Sequence, residues 1–591
     1  MQQIIYVLSV IYIFVTFILY KKSDEKISLL KFLTISVVTF LCYNTFVCFI
    51  ISTINIPITL LILSIINMVP GTLLLYFIVK DKKIQKYSIE IKNIIATIFI
   101  VIITLTFLNL NFGFDLNIKY IMTDASVHYM AARDFYKNDK LLNKVEDTPI
   151  SKEFMTGTYV NTGILFKIVE PIIGETNFYK VFILFDTFLL CLMGLTMYIA
   201  IQNIIKNKFN FVISLIMILI FIAGYPLNSY IYGYCYLQLG ILIIVTIINI
   251  LQFFNYKINK KIIYTLLLIL NFAIFFTYCI FLPIVYIVEF IYILKKNKGE
   301  YKKIITAKNA LIILIIFIIP IICGLFYFVI PHIQQANDGK IFLNIEGYIY
   351  RNCWSNFILI LPLSLLCLKK KNDDTYIWLI FISILVIFMS IFFILINKFN
   401  LSTYYYYKYN FVLWFMLWYG AIYGINLDFK MKFKIPIVIY LSIYIIMAIV
   451  SLNVKNVDVT KETFDNDENI TNAFDIFGIN RTIIKYEAVD FDQKELQLLE
   501  YIYNNIDLNK DNIALIVNPR QESWFYAMFN YKNKEDLQEG VTEHDIEKWN
   551  NKEYKYMLVL YRSMYYAQYY DIINYTELVA ENEEGAIYIN K

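Results

Sequence analysis

Apolar stretches alternate with short polar breaks over most of the chain. A membrane-spanning helix needs about 20 mostly apolar residues. Fourteen segments reach or approach that length: 4–20, 30–52, 57–79, 93–111, 179–204, 209–227, 236–255, 262–278, 281–294, 310–331, 355–368, 376–397, 409–427 and 435–453. Those at 262–278, 281–294 and 355–368 are short and suit tilted, re-entrant or half helices, so the pattern predicts twelve to fourteen helices. Two polar regions interrupt it, a long loop at 112–178 and a tail from 454. In the tail, Leu496, Leu499, Ile502 and Ile506 recur at helical spacing, which predicts a helix over Asp492–Ile506. Asn512–Val517, Lys555–Leu560 and Ala586–Ile589 read as short buried strands, and Glu522–Phe529 as a helix between the first two. The expected fold class is a polytopic α-helical membrane protein with a small C-terminal extracytoplasmic α/β domain at 492–591, joined by a linker at 454–491.

Composition supports the two-solvent picture. The chain is 59% hydrophobic and only 17% charged, where soluble chains carry about a quarter charged residues. Its net charge of +5 hides a split. Residues 454–591 hold 14 Lys/Arg against 26 Asp/Glu, a balance of −12, which leaves +17 on residues 1–453. Lysine placement gives the orientation. Alternate short loops carry 26 lysines, among them Lys21, Lys22, Lys26, Lys82, Lys83, Lys260, Lys261, Lys295, Lys296, Lys369 and Lys370. The intervening short loops have almost none. The lysine-rich set is expected in the cytoplasm, which puts loop 112–178 and the tail outside. The N-terminus, with its lysines after the first apolar run, reads as a retained helix rather than a signal peptide. The eight cysteines lie in or beside apolar segments with no zinc-type spacing and are expected to be small buried hydrophobes. No nucleic-acid partner is expected; the partner surface is the lipid bilayer.

The chemistry-bearing residues cluster where the first long polar region begins, at Thr123-Asp124-Ala125-Ser126-Val127-His128-Tyr129-Met130-Ala131-Ala132-Arg133. If this stretch is helical, Asp124 and His128 share a face, because i and i+4 stack. Met122, Val127, Met130 and Ala131 would then lay the helix on the membrane domain, so the acid faces a groove. Arginine adds a second clue: only Arg133 and Arg351 lie in residues 1–453, both on the lysine-poor side. Guanidinium suits bidentate phosphate binding. Lys408 follows Tyr404, Tyr405, Tyr406 and Tyr407 at the start of a helix on the same side. It reads either as part of an interfacial belt or as a phosphate clamp, with Tyr404 and Tyr405 stacking on sugar faces. Glu170, Glu175, Asp338 and Glu346 are further acids on that side. No GxSxG, HExxH or glycine-rich phosphate loop occurs.

Many helices, a long first outer loop with an acid just after the preceding helix, and an extracytoplasmic C-terminal domain together resemble the GT-C glycosyltransferases. These include protein O-mannosyltransferases, oligosaccharyltransferase catalytic subunits and lipid A aminoarabinose transferases. The residues carrying the resemblance are Thr123–Tyr129. It implies a glycosyltransferase that moves a hexosyl or pentosyl group from a polyprenyl-phosphate donor to a glycan or lipid acceptor of the cell envelope. It implies Asp124 as catalytic base or as ligand of a divalent metal (Mg or Mn), with His128 beside it. Arg351 and Lys408, at comparable places, would bind the lipid phosphate, with Arg133 a further phosphate candidate from its guanidinium. The family usually places its acid after the first helix; three more precede it here, so 1–92 would be an N-terminal three-helix extension of a domain spanning 93–453. Two alternatives compete: a polysaccharide polymerase or ligase of another fold, relying on Arg133 and His128, and a transporter or flippase of lipid-linked sugars using the intramembrane acids Asp186 and Glu289.

Overall fold

The computed structural model describes residues 1–121, 124–141, 156–256, 258–296, 314–324, 355–370, 372–399, 403–427, 431–452, 490–508, 510–529 and 543–590. Each expected apolar segment is helical over most of its described length. The first four helices are α1 (Gln2–Leu19), α2 (Leu29–Thr53), α3 (Leu60–Asp81) and α4 (Ile91–Phe112). Short polar side chains start them: Ser28 accepts from the Lys31 N–H and Thr59 from that of Ile62, satisfying donors a helix end leaves open. The loop at 112–178 contains two helices, α5 (Asp124–Asn138) and α6 (Thr156–Ile173). After them come α7 (Phe178–Ile201), α8 (Lys208–Ala223), the short α9 (Tyr225–Ile231), α10 (Cys235–Gln252), α11 (Lys260–Tyr278) and α12 (Leu282–Lys296). Helical pieces at Ile319–Gly324, Ser355–Ile358 and Leu361–Leu365 precede α13 (Asp373–Phe399), α14 (Thr403–Ile425) and α15 (Met431–Leu452). Among the described residues, nine helices are long and apolar enough to cross a membrane.

The short segments at 262–278 and 281–294 are the two arms of a hairpin. Asn271 donates to Glu289 at 2.8 Å, and Lys296 at the end of α12 reaches Asn255 at 2.6 Å, beside the start of α11. The apolar run therefore goes out and returns. Its bend at Cys279–Phe281 lies at the end of the bundle where α14 begins, since the Tyr409 hydroxyl donates to the Ile280 carbonyl at 2.6 Å. The lysine-rich segments gather at the opposite end. There the Lys22 carbonyl accepts from the Asn259 N–H at 3.1 Å, Lys31 donates to Gln252, and Lys296 pairs with Asp373. The bundle thus has a lysine end and a lysine-poor end, as the charge pattern requires.

Helix α6 was not visible as an apolar segment, because Asn161, Lys167, Glu170 and Pro171 dilute it. It is nonetheless largely buried, and Asn44 donates to Asn161 at 2.9 Å. Its close approach to α11 needs Gly157, where a Cβ would stand 2.2 Å from the Thr277 hydroxyl. Helices α1 and α3 pack on each other, and α2 packs with α6, α7 and α11 inside the bundle.

The tail is a small α/β unit built on a four-stranded sheet, the two-residue pair β1 (Ile27–Ser28) and β2 (Tyr87–Ser88) lying elsewhere. Strands β3 (Ile513–Ile516) and β4 (Tyr556–Leu560) are parallel, while β6 (Gly585–Ile589) runs antiparallel to β4 and to β5 (Glu577–Asn582). The edge strand β5 escapes sequence reading because it is mostly exposed and lacks alternation. Helices α16 (Gln493–Asn505), α17 (Pro519–Phe529), α18 (Glu543–Asn550) and α19 (Met564–Tyr569) complete the unit. A capping box of Asp492 and Glu495 opens α16.

Tail and loop are docked together, so both lie at the lysine-poor end. Ile118 bridges Phe491, the Asp490 N–H donates to the Ile118 carbonyl at 2.9 Å, and Arg520 donates to the Ile121 carbonyl at 3.1 Å. Trp524 of α17 lies against Tyr120 and Tyr129, with ring centroids 6.0 and 5.4 Å apart. A Trp524→Ala change is expected to cost about 3–5 kcal/mol. It should also render 490–591 cleavable by a limiting protease dose that spares the parent chain.

Candidate functional site

The site forms where α5 meets the aromatic turn between α9 and α10. The Ile121 N–H donates to the Ile231 carbonyl at 3.1 Å, which aligns the start of α5 with that turn. Gly233 occupies the left-handed region (φ +76°), and a Cβ there would lie 2.4 Å from the Ala125 Cβ. Glycine is therefore required twice over, for backbone angle and for contact. The result sets Tyr234 and Tyr236 beside the first turn of α5.

The Tyr236 hydroxyl donates to the Asp124 carboxylate at 3.4 Å and accepts from the Lys408 ammonium at 3.2 Å. Lys408 also lies over the Tyr234 ring, 3.2 Å from its centroid, and is fully buried. The lysine is fixed by its neighbours in sequence: the Tyr407 hydroxyl donates to Asn228 at 3.1 Å and that of Tyr409 to Ile280. Tyrosine faces stabilise a desolvated cation, and a buried ammonium needs such partners. A carboxylate, a phenol and an ammonium thus form one hydrogen-bonded line drawn from α5, α10 and α14. Sequence distances of more than a hundred residues close to within hydrogen-bond reach.

His128, one turn along α5 from Asp124, packs its ring 4.8 Å from that of Tyr236. Burial, reinforced by the Lys408 charge, pulls its pKa down to about 3, so it is neutral throughout the physiological range. The sign of the pH effect follows. Between about pH 3 and 6.5 the unfolded chain binds a proton that the folded chain refuses, so stability rises with pH across that window and is full above it. His128→Gln should reduce the loss of thermal stability between pH 7 and pH 5, measured on detergent-solubilised protein.

The other candidates are placed as follows. Arg133 is buried and turned toward the tail, where it donates to the Ala527 carbonyl at 3.4 Å and lies 3.8 Å from Glu175. Glu175 also meets Lys137 at 3.4 Å. Tyr404 and Tyr405 are in the first turn of α14, their side chains outside the described residues; Arg351, Asp338 and Glu346 lie outside them altogether. The intramembrane acids are held within the bundle: Gln238 donates to Asp186 at 2.7 Å, and Asn271 to Glu289. Sequence alone gives Tyr236 no role. Among fifty tyrosines no local signal marks it.

Among the described residues, no three His, Cys, Asp or Glu side chains group as a metal site. Asp124 is bridged by a phenol to an ammonium. That donor set suits an anionic ligand better than a dication, which takes several oxygen ligands.

An apolar cavity of about 450 Å³ lies between α1, α2, α6 and α7. Tyr6, Val10, Leu41 and Phe185 line it, and Ile11 and Leu184 on its rim are exposed at the bundle surface. Its polar edge is the Asn44–Asn161 pair. One turn before Asn161 on α6, Thr158 contacts Cys235, the neighbour of Tyr236. A single helix therefore runs from the cavity to the site.

No protein-family model matches the chain, and no curated protein matches it. Among solved structures, it is similar to the crystal structure of ArnT from Cupriavidus metallidurans bound to undecaprenyl phosphate, with a TM-score of 0.48 and 9% identity, covering 84% of this chain and 97% of that one.

Proposed function

We propose that the chain is a membrane glycosyltransferase. It moves a sugar from a polyprenyl-phosphate donor to a cell-envelope acceptor at the outer face of the membrane. The observation that carries this reading is the Asp124–Tyr236–Lys408 line at the lysine-poor end of the bundle. By the charge rule for membrane loops, that end faces outward, where nucleotide sugars are absent and a lipid-linked donor is the available source. The cavity beside α6 is apolar and open at its rim, as the tail of such a lipid requires.

The roles follow from the chemistry. Asp124 accepts the proton of the acceptor hydroxyl as its oxygen bonds to the anomeric carbon. The bond from that carbon to the phosphate oxygen breaks, and its electron pair stays with the phosphate. Lys408, with Tyr236, meets the charge that develops there. A single displacement of this kind inverts the anomeric centre. His128, neutral and packed on Tyr236, holds the phenol in place. Arg351 remains a second candidate for the lipid phosphate, while the contacts of Arg133 suit a role in holding the tail.

Proteoliposomes supplied with a radiolabelled polyprenyl-phosphate sugar and an acceptor extract test the reading. Label should pass to the acceptor fraction, and should continue to do so in EDTA. Tyr236→Phe removes two hydrogen bonds to charged groups, those with Asp124 and Lys408, each worth roughly 1.5–3 kcal/mol, and should slow transfer by about two to four decades. Label that crosses the membrane without changing carrier would instead favour transport.

A further inference from the structure

A second concavity lies on the other side of α5, between the loop and the tail. Its volume is about 160 Å³. One wall is Tyr129 of α5 with Glu175 and Tyr179 at the start of α7; the other is Glu500 and Tyr503 of α16, with Phe529 closing the end. Tyr129 is buried, while Tyr503 is 41% exposed. The carboxylate of Glu175 lies within 4 Å of both Arg133 and Lys137, and Lys180 also lines the cleft. Charge in and around the cleft is therefore close to balanced, which disfavours a strongly ionic ligand. The carboxamides of Gln493 and Gln497 add donors and acceptors. The walls are helix side chains with no free strand edge, so an extended peptide has no backbone to pair with. The accessible rings of Tyr503 and Phe529, beside carboxylates and carboxamides, match one chemistry, a ring with one apolar face and a rim of hydroxyls.

We propose that this cleft is a saccharide-binding site, sized for one pyranose unit and separate from the Asp124 line. Helix α5 stands between the two, presenting Asp124 and His128 to Tyr236 and Tyr129 to the cleft. Two sources could supply such a ligand, the growing acceptor or the finished glycan. The assignment to an acceptor rests on the transferase reading; saccharide binding itself does not.

The test uses the full chain in lipid nanodiscs. Saturation-transfer NMR with maltotriose and with chitotriose should detect binding of at least one. A Glu500→Gln, Tyr503→Ala double variant, altered at exposed positions, should weaken that binding tenfold or more. Asp124→Asn should leave it intact while transfer is lost, which separates this site from the catalytic assignment. In the transfer assay, a raised acceptor KM at unchanged kcat in the double variant identifies the ligand as the acceptor. Weakened binding with unchanged KM identifies it as the finished glycan. No saturation transfer to either sugar, or equal binding by parent and double variant, overturns the proposal.

Discussion

Asp124→Asn should abolish transfer without unfolding the protein. Asparagine keeps an oxygen that can accept from the Tyr236 hydroxyl, so the contact at 3.4 Å and the seating of α5 on Gly233 survive. What it loses is the capacity to take a proton. Removing a positioned general base costs roughly 10²–10⁴-fold in rate, and the loss should fall on kcat. Donor binding, measured by co-purified or added polyprenyl phosphate, should be unchanged, since the phosphate is assigned to cations and not to the acid. Retention of full activity in Asp124→Asn would remove the base from the mechanism. A dispensable Asp124 beside an essential Arg133 and His128 would favour the polymerase or ligase class.

Lys408→Met carries the second large effect, and stability and activity should part company. Lys408 is fully buried, with a phenol hydroxyl and a tyrosine face as described neighbours. Burying a charge is costly even when it is well placed, and methionine fills similar volume with a flexible apolar chain. The thermal midpoint should therefore hold or rise. Transfer should fall by about 10²–10³-fold, the usual cost of losing one group that meets developing negative charge. A gain in stability coupled to a loss of rate marks a residue kept for chemistry. A parallel fall of both would recast Lys408 as a packing element.

Much of the architecture was legible because lipid imposes length and charge rules on sequence. Outside the loop 112–178, the helices from α1 to α15 announce themselves as apolar runs, and the lysines sort the loops by side. Helix α6 was hidden, since its burial is against protein and tolerates Asn161 and Lys167, each with hydrogen-bond partners. Within the site, Asp124, His128 and Lys408 stood out as rare polar groups on a lysine-poor face. Tyr236 did not: its importance comes from a distance to residues 112 positions before it and 172 after it. No local window contains that information. Arg133 shows the converse limit, because spacing revealed its charge but not that it faces Ala527 and Glu175.

The hydrogen bond between Ser126 and Ser523, at 2.6 Å across 397 positions, sets a timetable for biosynthesis. Asp124 leaves the ribosome early, Tyr236 later and Lys408 later still. The helix carrying Asp124 is clasped by α17 only when the last fifth of the chain has been made. Chains are synthesised from the N-terminus, so a nascent or truncated product contains the acid long before it contains the site. A complete site is thus a property of the finished molecule, and an interrupted chain presents an unclasped amphipathic helix that quality-control proteases can recognise.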